Sequence, residues 1–204
     1  MKRLFIFISI IALMSVMSSS AMAQKAKVDE AAPDFQLMDN IGKEYQLSAY
    51  KGKYVVLEWI NFDCPFVQKH YKSGNMQKLQ KVYRDKDVIW FSVCSSAPGK
   101  QGYFEGEDLK ERMEKEKCNP TAYLLDADGK VGKLYGAKTT PHMFVINPEG
   151  ILIYAGGIDD KASTKLEDVQ DATNYVTAAL DAAMQGETVK VKTATPYGCS
   201  VKYK

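Results

Sequence analysis

Cys64 is the residue whose type and position offer the most chemistry. It follows residues 54–60 (YVVLEWI), a continuous β-branched and aromatic run that reads as a strand buried on both faces, and it precedes Pro65, which suits the first position of a helix. At such a junction, free backbone N–H groups and the positive end of the helix dipole favour a thiolate. The thiolate is the form that attacks disulfides and peroxides. The plainer alternative is a buried structural cysteine. Glu58 sits in the middle of the same run, where burial would raise its pKa; a strand-edge acid paired with a lysine is the alternative. Three further cysteines, Cys94, Cys118 and Cys199, complete the thiols. His70 and His142 could each stabilise a thiolate as imidazolium, or could simply be solvated or hydrogen-bonded in place.

The elements that must position these groups can be read in order. Residues 1–23 read as a secretory signal: Lys2 and Arg3, an apolar stretch over 4–17, and a small-x-small site at Ala21-Met22-Ala23. The apolar stretch is short of the roughly 20 residues that span a bilayer. Gln24 follows the expected cleavage site and, not being cysteine, cannot carry a lipoprotein anchor, so no membrane association is expected. Export implies an oxidising compartment, the periplasm in a Gram-negative bacterium or the exterior otherwise. Residues 24–32 read as a flexible leader, residues 33–187 as one α/β domain, and residues 188–204 as an extension carrying Cys199. Lys and Arg number 27 against 25 Asp and Glu; two of the basic residues lie in the signal, so the remainder balances. A balanced surface gives no electrostatic case for nucleic acid as partner.

Within the domain, residues 35–47 suggest a hairpin around Asp39-Asn40-Ile41-Gly42. The central strand at 54–60 leads into one kinked helix over 65–84, interrupted near Ser73-Gly74. Residues 88–93 (VIWFSV) form a second buried strand, followed by a Pro/Gly-containing loop and a charged helix over about 107–117, ended by Pro120. Residues 122–125 read as a short strand, 130–135 as a helical turn, and 143–146 with 151–154 as a hairpin across Asn147-Pro148-Glu149-Gly150. Val169, Ala172, Val176, Ala179 and Ala183 recur at helical spacing before Gly186, which sits at a C-cap position. Residues 188–193 read as extended. The alternation predicts helices on both faces of a sheet.

These residues resemble the thioredoxin superfamily: strand YVVLEWI, turn NFDC, the helix-starting Pro65, and Thr139-Thr140-Pro141 before a strand. Ala32-Pro33-Asp34-Phe35-x-Leu37-x-Asp39-x-x-Gly42, Tyr135-Gly136 and Asn147-x-x-Gly150 are similar to the alkyl hydroperoxide reductase/thiol-specific antioxidant branch, the redoxins. The resemblance covers roughly residues 30–185. It implies a three-layer thioredoxin-like sandwich with a central mixed sheet and an N-terminal hairpin. It also implies a cis peptide bond at Pro141 facing Cys64, a Thr140 backbone available to an extended substrate, and a proton-transfer role for Glu58.

Two departures bear on the reaction. Val67 stands where the second cysteine of a thioredoxin C-x-x-C would be, and Leu57 and Asn61 replace the Pro and Thr of the peroxiredoxin P-x-x-x-T-x-x-C. A resolving thiol must therefore come from elsewhere. Cys199, on a tail expected to be mobile, is one candidate; an inert bridge tethering the C-terminus is the alternative. A structural Cys94–Cys118 bridge is geometrically reasonable, with buried unpaired thiols as its competitor. Copper-delivery relatives carry a cysteine where Ile60 stands, so no metal is expected, and Asp126-x-Asp128-Gly129 reads as a turn. The expected function is a cofactor-free thiol-disulfide oxidoreductase acting on a redox partner protein or a small thiol or peroxide, with Cys64 as nucleophile. A thiol peroxidase and a non-catalytic binding module are the alternatives.

Overall fold

A computed structural model describes residues 24–204; the expected signal at 1–23 lies outside the described residues. In chain order the strands are β1 (Gln36–Asp39), β2 (Glu44–Gln46), β3 (Val55–Trp59), β4 (Ile89–Cys94), β5 (Ala122–Leu125), β6 (Thr139–Thr140), β7 (His142–Ile146), β8 (Leu152–Gly156) and β9 (Cys199–Ser200). The helices are α1 (Pro65–Lys72), α2 (Asn75–Arg84), α3 (Gly106–Lys115), α4 (Lys130–Tyr135) and α5 (Tyr175–Met184). Seven strands form one mixed sheet in the order β2-β1-β5-β4-β3-β7-β8, while β6 and β9 pair separately. Strands β3, β4 and β5 are parallel; β7 runs antiparallel to β3, and the β1–β2 hairpin docks antiparallel on β5.

The continuous apolar run at 54–60 folds as expected, because each of its two alternating faces enters a different core. Val56 and Ile60 join Val67, Tyr71 and Met76 of the first two helices, Leu109 of α3 and Val176 and Leu180 of α5. Leu57 and Trp59 join Phe91, Phe144, the hairpin residues Phe35 and Tyr45, and Val131 and Tyr135 of α4. This is the three-layer thioredoxin-like sandwich. Fully buried Trp59, Trp90 and Phe144 each contribute roughly 2–3 kcal/mol of apolar burial, so the central strands are firmly held.

Three local expectations are corrected. The single kinked helix over 65–84 is two helices, because Gly74 takes a left-handed conformation (φ 75°) and restarts the chain as the residue before α2. The last helix begins at Tyr175, not near Val169: Asn174 caps it by accepting the Thr177 N–H at 2.9 Å, and Glu167–Val169 form a separate 3-10 turn. Residues 24–32, expected as a flexible leader, are docked. The N–H groups of Ala26, Asp29 and Ala32 donate to the carbonyls of Leu134, Leu152 and Gly150.

Candidate active site

The turn between β3 and α1 is assembled from the chain's own polar groups. The Ile60 N–H donates to Val93 O, and the Cys64 N–H to Asn61 O at 3.0 Å. Buried Asn61 accepts the Asp63 N–H through its side-chain oxygen and donates to Gln101 O. Gly102 (φ 82°) makes room for that amide, since a Cβ there would lie 2.2 Å from it. Cys64 is then the residue before α1, extended at φ −80°, with Pro65 in the first turn, and its carbonyl accepts the Gln68 N–H. The peptide bond between Thr140 and Pro141 is cis, as the resemblance implied. It brings the Thr140 carbonyl to 3.0 Å from Cys64 Sγ.

Cys199 meets Cys64 across this point. Strand β9 lies antiparallel on β6 with Cys199 opposite Thr140, and the Cys199 N–H donates to Cys64 Sγ at 3.4 Å. The tail expected to be mobile is therefore docked. Upstream of Cys199, the Ala155 N–H donates to Lys192 O. Downstream, the Val201 N–H donates to Lys138 O, the Ala97 N–H to Lys202 O, and the Tyr203 hydroxyl to Ala137 O. Gly198 (φ 133°) permits the closest approach: a Cβ there would lie 2.0 Å from Thr140 O. Burial acts to raise the Cys64 thiol, but hydrogen bonds from the thiol and amide of Cys199 and from the Val67 amide prevail and hold it below the ordinary cysteine value. Burial and then the neighbouring Cys64 sulfur push Cys199 up to about 11. The arrangement gives the lower thiol pKa to Cys64, whose Sγ donates to Thr140 O and accepts the Cys199 N–H, and the higher one to Cys199.

Residues 28–155 match the AhpC/TSA family, well over half the chain. The chain belongs to the AhpC/TSA family. It is 26% identical over 159 residues to the thiol-disulfide oxidoreductase ResA of Bacillus subtilis (strain 168), covering 74% of this chain and 83% of that protein. Among solved structures it resembles an uncharacterized conserved protein from Geobacillus kaustophilus (27% identity, TM-score 0.72, 87% of this chain and 93% of the other). It shares its fold with a hypothetical protein from Sinorhizobium meliloti 1021 (24% identity, TM-score 0.70, 89% and 97%). Cys199 and its arm lie beyond the matched residues of the AhpC/TSA family.

The other candidate residues of this AhpC/TSA protein stand apart from the two thiols. Glu58 has no exposed surface and no lysine partner; it accepts hydrogen bonds from Tyr71, Gln80, Trp90 and Ser92. Burial raises its pKa against those four bonds. Through the Tyr71 hydroxyl the network reaches Cys118 Sγ at 3.3 Å, and no hydrogen bond joins it to Cys64. The weighed Cys94–Cys118 bridge is not formed: all four cysteines are free. Cys94 donates to Gly102 O instead, and burial raises both thiols. His142 lies on the opposite side of the sheet, its ring 4.5 Å from Phe144 and its Nδ1 accepting the Lys138 N–H. His70 is buried and bonded to Asn75 and Tyr197. No helix of the described residues is long and apolar enough to cross a membrane, and no His/Cys/Asp/Glu group among them is arranged for a metal. Missed by sequence reasoning are Asn61 as the seat of the turn, and Lys69, Asp159 and Tyr197 behind the arm. The contact of Asn61 with Gln101 and those among Lys69, Asp159 and Tyr197 span tens of residues, beyond the reach of any local pattern.

Proposed function

We propose that this protein is a thiol-disulfide oxidoreductase that uses Cys64 as nucleophile and Cys199 as resolving thiol. The observation that carries this reading is the Cys199 N–H on Cys64 Sγ at 3.4 Å, with the lower thiol pKa on the Cys64 side. In the first step the Cys64 thiolate attacks one sulfur of a substrate disulfide, forming a mixed disulfide and releasing the other half as thiolate. Cys199 then loses its proton and attacks Cys64 Sγ; a Cys64–Cys199 bond forms, and the second half of the substrate leaves as thiolate and takes up a proton. The substrate gains two electrons and the protein loses two, which an external thiol reductant restores. Thr140, expected beside Pro141 to receive an extended substrate, is instead covered by the chain's own arm, its carbonyl accepting from Cys64 Sγ and its strand pairing with Cys199, and Pro65 begins the helix whose N-terminus favours the thiolate. Glu58, six residues before Cys64, belongs to this reading only as a support of the core. Asn61 argues against a peroxidase, because its side chain is committed to Asp63 and Gln101. The signal-like residues 1–23 favour action in an exported, oxidising setting, on a redox partner protein or a small disulfide.

The test is disulfide mapping with cysteine variants. Wild-type protein treated with oxidised glutathione should carry a Cys64–Cys199 bond; Cys199→Ser should accumulate a glutathione adduct on Cys64; Cys64→Ser should lose insulin reduction. Insulin reduction by Cys64→Ser at the wild-type rate would overturn the reading. So would conversion of Cys64 to sulfenic acid by peroxide faster than an ordinary thiol, which would assign the site to a peroxidase.

A further inference from the structure

Behind the arm lies a buried polar cluster that the thiol chemistry does not use. Lys69 and His70 of α1 and Asp159 from the loop after β8 have almost no exposed surface, and Tyr197 of the arm joins them. The Tyr197 hydroxyl donates to an Asp159 carboxylate oxygen and lies 3.2 Å from His70 Nε2. Lys69 Nζ donates to Lys161 O at 2.7 Å, sits 3.4 Å from Asp159, and lies 5.4 Å from the centre of the Tyr197 ring. The Asn75 amide lies 2.9 Å from His70 Nδ1. One tautomer satisfies every group: Asn75 donates to Nδ1, Nε2–H donates to the Tyr197 oxygen, and the phenol proton goes to Asp159. The phenol is thus both acceptor and donor, a double duty that phenylalanine cannot perform.

Burying a lysine and an aspartate is a weak route to stability, since their desolvation offsets most of their attraction. Such a cluster is better suited to fixing one geometry. Its position points to which one. Lys69 and His70 belong to the helix that Cys64 precedes, while Tyr197 stands two residues before Cys199. The cluster therefore ties the nucleophile's helix to the arm bearing the second thiol, with only Gly198 between clamp and sulfur.

We propose that Tyr197 is a positioning residue, which through Asp159, His70 and Lys69 fastens Cys199 against Cys64. The proposal deepens the thiol-exchange reading and rests on it for its catalytic meaning. With the phenol bonds gone, the arm spends more time undocked and Cys64, which has no exposed surface when the arm is in place, meets solvent.

The test uses full-length reduced protein carrying Cys199→Ser, so that alkylation at residue 64 reports arm opening. Adding Tyr197→Phe should raise the iodoacetamide rate at Cys64 by about tenfold, the factor carried by one charge-assisted hydrogen bond of ordinary strength. The rate at Cys94, buried at the end of β4, should stay as it was. A general loosening of the fold would speed both thiols together, and that result, or an unchanged Cys64 rate, would overturn the proposal. Should Tyr197→Phe fail to fold, Asp159→Asn decides the matter, because it keeps the cluster's shape and weakens the acceptor of the phenol proton. The same selective rise is expected from it, and its absence overturns the proposal. Because the assay reads arm position in reduced protein, its outcome is independent of whether the oxidised wild type carries a Cys64–Cys199 bond.

Discussion

Two cysteines of the same chemical type acquire opposite characters from their surroundings. Cys64 receives hydrogen bonds at its sulfur from backbone and thiol donors, which favour its anion, while Cys199 faces that sulfur and is held as thiol. Glu58 illustrates the reverse case, a charge-capable group surrounded by donors yet kept high by burial. Its role follows from its partners. Glu58→Leu would leave the buried Trp90 and Ser92 donors without an acceptor and strip one from Tyr71 and Gln80, and should cost about 3 kcal/mol or more in urea unfolding. Glu58→Gln keeps one acceptor oxygen and should leave the alkylation rate of Cys64 near the wild-type value. A marked drop in that rate would restore Glu58 to the proton-transfer role that the resemblance implied.

The arm over residues 188–204 behaves as an element although it has almost no regular structure. Its contact with β6 depends on Gly198, where a side chain would strike the Thr140 carbonyl. Gly198→Ala should slow formation of the Cys64–Cys199 bond by about tenfold to a hundredfold, as expected when reacting groups are displaced by an ångström or so. Quenched alkylation after addition of oxidised glutathione measures this. Gly42→Ala is the control, since Gly42 also has positive φ but has open space around it. The contrast between arm and core explains what was legible beforehand. The central strands, the Cys64–Pro65 junction and the β7–β8 hairpin are written in adjacent residues, as periodicity and turn chemistry. The start of α5 was not, because Val169 and Ala172 fit helical spacing while the Asn174 cap sets the boundary. Docking of the arm was not legible at all. It has no periodicity, and its anchors are single residues whose partners are remote, Tyr197 lying 127 positions from His70.

At the scale of the molecule, both histidines are buried in the fold that also hides the thiols. Burial, with Lys69 nearby for His70 and Lys138 for His142, lowers each to about 4, although Asp159 partly opposes this at His70. The folded state keeps both imidazoles neutral where the unfolded chain takes up protons, below roughly 6.5. Stability from these two groups is therefore complete above that value and is lost as pH falls towards 4, by an amount on the order of a few kcal/mol. Nuclear magnetic resonance titration of the two imidazoles should show neither protonating above about pH 5 in folded protein; an imidazolium at pH 6 would contradict it. Glu58, raised by burial, works in the opposite sense, and the Glu58→Gln background removes its part from the pH dependence. The placement of Cys199 has one more consequence. A bond from it to Cys64 would join residues 135 positions apart and turn most of the domain into a covalent ring. Closing so long a ring removes roughly 5 kcal/mol of entropy from the unfolded chain. Oxidation and unfolding form a closed thermodynamic cycle, so the same energy makes the bond about 100 mV harder to reduce in the folded protein than in the unfolded one. The gain in stability on oxidation and the shift in reduction potential on folding would then be two readings of one quantity, so a substitution that weakens the oxidised form more than the reduced one makes the ring easier to open by reduction.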